Sequence, residues 1–439
     1  MSDVISGAIA TVLLKIIGIG LSYFFLAYLT NMLGADVAGI FSLSVYALLI
    51  LTALGTLGFP NAVLRFSAQY GLQNRWANLK RIYVRMAVSS SLVSLLIGVI
   101  VYVLSNALAE LFLKDAGLSP VFKIIAFAIP FSSLSAINVE AIRGLQKIRA
   151  SEFIRSVNLG FWSLLFFILL NQFVGYNATN PVMAYTLSVF LTFCISTLHW
   201  RSLMANRIST KLEEPHMRIS DILRISAPML LTVLMQFIIE AFGVIILGFF
   251  RNPREVGIYA VALKLSTVTG FILVAINTIA GPKFAELYWS DKKADLNNII
   301  SFTSRIIFWT SAPVLISFVV FPGFFMGLFG AEFIAGKQAL IILSVGQFFN
   351  AACGSVGSFL LMTGGQKAFS NFLMIGALLN VVLSIGLVKT MGIIGAAYSS
   401  VASVICWNIL SLIHIKVKYH IDTFYVPFVR KRSFSVSDI

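Results

Sequence analysis

Charge is scarce in this sequence, and negative charge is scarcest. Of 439 residues, 17 are Asp or Glu against 32 Lys or Arg, and charged residues make up 11% of the chain, where soluble domains carry about 25%. A soluble fold of this length needs far more polar surface, so the bilayer is the expected solvent. Cysteine occurs 3 times, and Cys194, Cys353 and Cys406 fall in apolar stretches without CxxC spacing, which argues against disulfides and a structural metal. No glycine-rich phosphate-binding loop is found, and the connections are too short for a nucleotide-hydrolysing domain. The first apolar run has no cleavage-like small-residue site and carries Lys15, Ser22 and Tyr23, so it reads as a retained helix and not a signal peptide.

What the sequence does have is apolar length. Hydrophobic residues make up 59%, and runs of about 20 of them, enough to cross a hydrocarbon layer roughly 30 Å thick as helix, recur from end to end. They predict twelve spans, centred near Gly20, Leu51, Ser94, Ser132, Leu165, Phe190, Gln236, Thr269, Ser311, Val345, Leu379 and Ser403. Gly, Ser and Thr are spread through them, which suits close helix packing in a bundle. The net charge of +15 is unevenly placed. With the N-terminus inside, 24 Lys and Arg fall on inner connections and the C-terminal tail and 6 on outer ones. The positive-inside rule therefore places both termini in the cytoplasm and makes the basic balance a topology signal, not a nucleic-acid footprint.

The chain also repeats itself. Gly34-Ala35-Asp36-Val37-Ala38-Gly39-Ile40-Phe41 returns as Asn252-Pro253-Arg254-Glu255-Val256-Gly257-Ile258-Tyr259, with Gly39 and Gly257 218 apart, close to half the length. Gln146-Lys147 and Gln366-Lys367 recur 220 apart. Six spans per half is an even number, so the halves enter the membrane in the same sense, related by a pseudo-two-fold axis along the membrane normal. The expected organisation is a six-helix lobe over 1–205, a cytoplasmic linker over 206–220, a second six-helix lobe over 221–418, and a cytoplasmic tail over 419–439. Inner segments around Trp76 and Trp289 read as short interfacial helices or as ordinary aromatic anchors.

A charged side chain at mid-bilayer costs about 2.5 to 3.5 kcal/mol on insertion scales, so the few present are functional candidates. Lys15 lies some ten residues into the first span, facing a cavity or snorkelling to the surface. Glu240 and Lys264 flank the turn at Asn252-Pro253 at equal depth. They read either as a structural ion pair, or as a lysine for an anionic substrate with a carboxylate for protons. Arg65, at the inner end of the second span, is a substrate contact or a headgroup anchor. Glu140 with Arg143, and Glu152 with Arg155, have the spacing of local helical salt bridges. Proline at Phe59-Pro60 and Ala227-Pro228 interrupts apolar helix. Lys264 has Tyr46 as its repeat counterpart, and Lys15 has Val233, so the repeat is broken where charge sits.

Leu33-Gly34-Ala35 with Gly39-Ile40-Phe41-Ser42-Leu43, Leu54-Gly55-Thr56-Leu57-Gly58-Phe59-Pro60 with Arg65-Phe66, and Val256-Gly257-Ile258-Tyr259-Ala260 carry a likeness. It continues in Gly281-Pro282-Lys283-Phe284, Gly346-Gln347-Phe348-Phe349-Asn350-Ala351, Met362-Thr363-Gly364-Gly365-Gln366-Lys367, and Leu379-Asn380-Val381-Val382 with Gly392-Ile393-Ile394-Gly395-Ala396-Ala397. The chain resembles the polysaccharide (O-antigen type) flippase branch of the multidrug, oligosaccharidyl-lipid and polysaccharide exporter superfamily. The resemblance implies an all-α polytopic protein with two six-helix lobes around a central cavity. It implies a bacterial inner-membrane transporter, not an enzyme, that moves undecaprenyl-diphosphate-linked repeat units outward by alternating access for O-antigen, lipopolysaccharide or capsule synthesis. No cofactor is implied beyond a proton or sodium gradient. Implied partners are the lipid-linked substrate, membrane lipids, a glycan polymerase and a chain-length regulator, with no nucleic acid. Substrate-binding candidates are Lys15, Lys264 and Arg65, with Glu240 for ion coupling. Related lipid II flippases use arginines where this chain has Lys15, Arg65 and Lys264. A cation-coupled multidrug antiporter is the alternative of the same superfamily, and a membrane glycosyltransferase or polymerase the alternative outside it.

Overall fold

A computed structural model describes residues 2–205, 207, 217–425 and 427, with backbone alone over 2–10. Most of the expected linker and most of the expected tail, including Glu213-Glu214-Pro215, lie outside the described residues. The described residues are helical almost throughout: α1 (Ser2–Thr56), α2 (Phe59–Leu72), α3 (Trp76–Val103), α4 (Ser119–Gly144), α5 (Ile148–Val174), α6 (Asn180–Ala205), α7 (Ile219–Phe250), α8 (Pro253–Trp289), α9 (Lys293–Val320), α10 (Lys337–Ala352), α11 (Val356–Met362), α12 (Gln366–Met391) and α13 (Ile393–Tyr419). Among the described residues ten helices are long and apolar enough to span, and α10 with α11, bent by 42°, makes an eleventh if the pair is one span.

α1 accounts for the twelfth. Its apolar stretch, Thr11–Thr56, runs 46 residues, about 69 Å at 1.5 Å per residue and more than twice the roughly 30 Å to be crossed. The helix breaks at Gly34, where φ is 78° and ψ −174°, a conformation that costs glycine little. Two crossings therefore meet at Gly34, and the architecture is the expected all-α bundle, compatible with twelve spans. The repeat motif after the break is capped differently in its two copies. In the second, the Asn252 side chain accepts from the Glu255 N–H at 3.0 Å and Pro253 follows, as an N-cap and N1 proline should. In the first, glycine has no side chain to offer, and Glu332, from far along the chain, accepts the Ala35 N–H at 2.6 Å.

The two copies meet. A methyl group on Gly39 would strike the Pro253 carbonyl and approach the Gly257 nitrogen to 3.0 Å, while one on Gly257 would strike the Ala35 carbonyl and approach the Gly39 nitrogen to 2.8 Å. Ala35 and Pro253 are themselves repeat mates. The contact is thus reciprocal, as a two-fold axis between the copies requires. Small residues are what allow membrane helices this close.

We call the Gly34 and Asn252 end outer and the opposite end inner, following the charge bias. At the outer end a single apolar core combines both halves, from Phe25, Leu29, Phe41 and Phe167 to Val244, Tyr259, Phe333 and Ala396. At the inner end there are two cores. One holds Phe59, Phe66, Leu79, Trp200 and Met204 with Ile222 of α7, and the other Phe284, Leu296, Phe359, Phe369 and Ile415. The halves are joined outside and diverge inside, except where α2 touches the start of α7 at Gly58 and Ser226. Buried amides and hydroxyls bind helix to helix within each half, as with Asn138 to Ser196 and Thr197, and Asn380 to the Ile238 and Ile239 carbonyls. No separate interfacial helices form around the tryptophans: Trp76 opens α3 and Trp289 closes α8. Pro60 sits in the first turn of α2 after a left-handed Gly58, whereas Pro228 lies inside α7.

Candidate functional site

The divergence of the halves leaves two cavities of about 530 and 420 Å³. The first lies between α1 and α8. Ile16, Ile19, Ser22 and Tyr23 come from α1 and Lys264, Thr267, Val268 and Phe271 from α8, with Arg155, Ser156, Leu159 and Tyr185 behind them. The helical spacing of these positions puts each set on one face. The second cavity lies between α7 and the part of α1 beyond Gly34. Leu230, Val233 and Phe237 face Leu49, Ala53 and Thr56, and the wall is completed by Thr52, Asn61, Ser132, Ser135, Glu140 and Thr192. Shifted by the repeat offset, Ile19 becomes Phe237, Thr267 becomes Leu49 and Phe271 becomes Ala53, so the cavities are repeat mates built from unlike residues.

Lys264 sits where α1 and α8 converge at the head of the first cavity. Its ammonium donates to Ser22 Oγ at 2.5 Å and to the Ser22 carbonyl at 3.1 Å, and lies 5.3 Å from the centre of the Tyr23 ring. The Tyr23 hydroxyl donates to the Lys264 carbonyl. The lysine is thus held by neutral partners of the opposite half, and no carboxylate is among its partners. Of the two readings open in the sequence, the ion pair with Glu240 does not form: the Lys264 ammonium turns to Ser22 and Tyr23 of α1. Glu240 is exposed, has no ion-pair partner among the described residues, and continues the cavity-facing stripe of α7 one turn beyond Phe237. Tyr46 is within electrostatic range of it. Ser22 and Lys264 are the repeat mates of Glu240 and Tyr46, so the same geometric corner carries a cation on one side and a carboxylate on the other.

The other candidates lie further in. Lys15 is half-buried and does not line either cavity, two turns inward of Ser22 on the same α1 face. Arg65 is exposed on α2, one turn beyond Asn61, which lines the second cavity. Neither has an ion-pair partner among the described residues.

One charged pair departs from the spacing. Glu140 pairs with Arg143 at 3.5 Å as expected, but Arg155 pairs with Glu140 and not with Glu152. The cause is local: Phe153–Asn158 is a π-helical turn within α5, which changes the residues per turn and swings Arg155 away from its i−3 neighbour. Glu152 instead accepts from Ser156 Oγ at 2.7 Å. Arg155 is consequently no inner-loop anchor but lines both cavities. Sequence spacing suggests an α-helical pair here, and no residue type announces a π turn.

Outside the cavities, the outer end is fastened by polar contacts. Glu332 joins Ala35 to Arg254, whose guanidinium lies 3.2 Å from the second Glu332 oxygen, and Asn31 donates to the Leu328 carbonyl at 2.9 Å. Lys114 donates to the Phe249 carbonyl at 2.6 Å. Among the described residues no group of three His, Cys, Asp or Glu is placed to hold a metal ion, and the three cysteines are free.

The arrangement has known counterparts. In solved structures the fold matches lipid II flippase MurJ in its inward closed conformation, with TM-score 0.70 and 15% identity over 94% of this chain and 87% of that one. It also matches the inward-facing conformation of a multidrug resistance MATE family transporter, with TM-score 0.68 and 15% identity over 94% and 98%. In sequence the chain is 22% identical over 429 residues to a probable low-salt glycan biosynthesis flippase, Agl15, of Haloferax volcanii, covering 95% of this chain and 86% of the relative. It is 25% identical over 414 residues to an uncharacterized membrane protein of Methanocaldococcus jannaschii, covering 87% and 79%. The family model described as polysaccharide biosynthesis protein matches residues 4–288. That is well over half of the chain, and this multi-pass membrane protein belongs to the polysaccharide biosynthesis protein family.

Proposed function

We propose that this protein is a flippase that carries polyprenyl-diphosphate-linked oligosaccharide repeat units, with undecaprenol as the carrier in a bacterial host, from the cytoplasmic to the outer leaflet by alternating access. The observation that carries the reading is the first cavity, which has at its head a lysine without a fixed counter-ion. Burying an ammonium costs a few kcal/mol, and two unit charges 4 Å apart attract by about 4 kcal/mol at an effective dielectric of 20. An arriving phosphate therefore offsets the cost of keeping Lys264 there. Ile16, Ile19, Val268 and Phe271 supply an apolar lip along which a polyprenyl tail can stay in lipid. The second cavity, with Thr52, Thr56, Asn61, Ser132, Ser135 and Thr192, offers hydroxyls and an amide to sugars.

In this cycle the substrate enters with the outer end closed by the Gly39–Gly257 contact and the Glu332 contacts. The halves then rock, closing the inner ends and parting the outer ones. Glu240, accessible at the repeat position of Ser22, is the proposed site of proton coupling. Cationic drug transport is disfavoured, because the charges lining the two cavities are Lys264, Arg155 and Glu140, a net positive set in which the one carboxylate is already paired with arginine, and Glu240 lies beyond both linings.

The test is a deletion strain in which lipid-linked repeat units are assayed by leaflet. The reading expects accumulation on the cytoplasmic face, relieved by wild type and not by Lys264→Gln. Full complementation by Lys264→Gln would remove the cationic-cavity mechanism. Equal leaflet distribution in the deletion strain would remove the flippase itself.

A further inference from the structure

Arg155 and Glu140 form a charged pair between two membrane helices. Glu140 is buried, with 8% of its surface exposed, and each of its oxygens is taken by a different arginine, Arg155 from α5 and Arg143 from α4. Arg155 keeps 43% of its side chain exposed. A guanidinium has five N–H donors in a rigid fork, and Glu140 is met by a single nitrogen of it, Nη2, so donors remain for a ligand. The pair has no mate in the second half. At the 220-residue offset of the neighbouring Gln-Lys motif, Glu140 corresponds to Leu360 and Arg155 to Ile375, and α12, which replaces α5, is α-helical throughout. A buried carboxylate and a π turn, both costly in a membrane helix, are therefore present in one half only.

Position gives the pair its meaning. Arg155 and Glu140 stand where the apolar-lipped first cavity meets the hydroxyl-lined second one, and Arg155 lines both. A lipid-linked oligosaccharide is ordered tail, diphosphate, sugar. With the tail at the first cavity's lip and the sugars in the second, the diphosphate falls at their junction.

We propose that Arg155 is a second cationic ligand for the substrate diphosphate, across the first cavity from Lys264, and that Glu140 is a positioning residue that fixes its fork and moderates its hold on the anion. The inference rests on the flippase reading. It predicts opposite effects for two changes that each remove one charge. Arg155→Gln removes a charged donor and weakens binding, by roughly tenfold or more for a charge-assisted hydrogen bond. Glu140→Gln keeps an acceptor for the guanidinium but removes the negative charge beside the anion, so binding tightens and release slows. A pair that only holds α4 to α5 would instead lose affinity in both variants, in step with stability.

The experiment is calorimetric binding of farnesyl diphosphate to the purified full-length protein in detergent, with farnesol as the uncharged control and inorganic diphosphate as the tail-free one. Melting temperature is followed in each variant. The expected result is weaker binding of both diphosphates in Arg155→Gln, partial recovery in Arg155→Lys, and tighter binding in Glu140→Gln. Weakening in both Arg155→Gln and Glu140→Gln that tracks lowered melting temperature overturns the proposal. Unchanged binding in both, with loss in Lys264→Gln, overturns it while leaving the flippase reading intact. If wild type binds farnesol as well as farnesyl diphosphate, both readings fall.

Discussion

Placing a methyl group on Gly39 should push the protein toward its outward-open state. The Gly39 Cβ position is 2.6 Å from the Pro253 carbonyl carbon and 3.0 Å from the Gly257 nitrogen, where 3.4 to 4 Å is ordinary contact. These are backbone atoms of α8, and no rotamer change relieves them. α1 and α8 must separate by about an ångström, and overpacking of this kind typically costs about 1–3 kcal/mol. The cost falls on the state in which the outer ends touch and vanishes once they part. Differential destabilisation of that size shifts a two-state ratio by roughly 5- to 150-fold. In a cysteine-free background, spin labels at the exposed Asp36 and Lys389 report the outer-end separation. Gly39→Ala should move the distance distribution to longer values, and Gly257→Ala likewise, with a double variant giving less than the sum because both act on one contact. Gly386→Ala, with nothing within 4 Å of its added methyl, is the control and should match wild type. An unchanged or shortened distribution in Gly39→Ala, in protein that elutes and melts like wild type, refutes the idea that this glycine contact closes the outer end.

Other perturbations test the remaining parts. Glu332→Ala removes the acceptor for the Ala35 N–H, a cap worth about 1 kcal/mol, and should lengthen the same distance by a smaller population shift, with Glu332→Gln milder still. Lys264→Gln should weaken farnesyl diphosphate binding at least about tenfold and flatten its dependence on salt, measured by calorimetry across ionic strength. Glu240→Gln should abolish the dependence of lipid translocation on an imposed pH gradient in proteoliposomes while leaving diphosphate binding unchanged. Gradient-dependent transport that survives in this variant would remove Glu240 from the coupling step.

The solvent and the architecture were legible in the amino-acid sequence. Apolar runs of bilayer length, the scarcity of charge and the duplicated glycine motif suffice for an all-α membrane bundle with an internal repeat, because the bilayer leaves helices with internally satisfied backbones as nearly the only choice. Lys264 was legible there as well, since burial cost makes any mid-membrane lysine conspicuous. Whom each charge meets is set by the folding of the chain. Glu240 and Lys264 share a depth, but the Lys264 ammonium turns to Ser22 and Tyr23, so their pairing, open in the sequence, does not occur. Arg155 has the spacing of a helical partner for Glu152, yet a π turn delivers it to Glu140 on another helix and to the junction of two cavities. Depth follows from distance along a helix and is countable in the sequence. Facing depends on helix rotation, local turn type and the approach of a second half more than 200 residues away, and only the folded chain sets those.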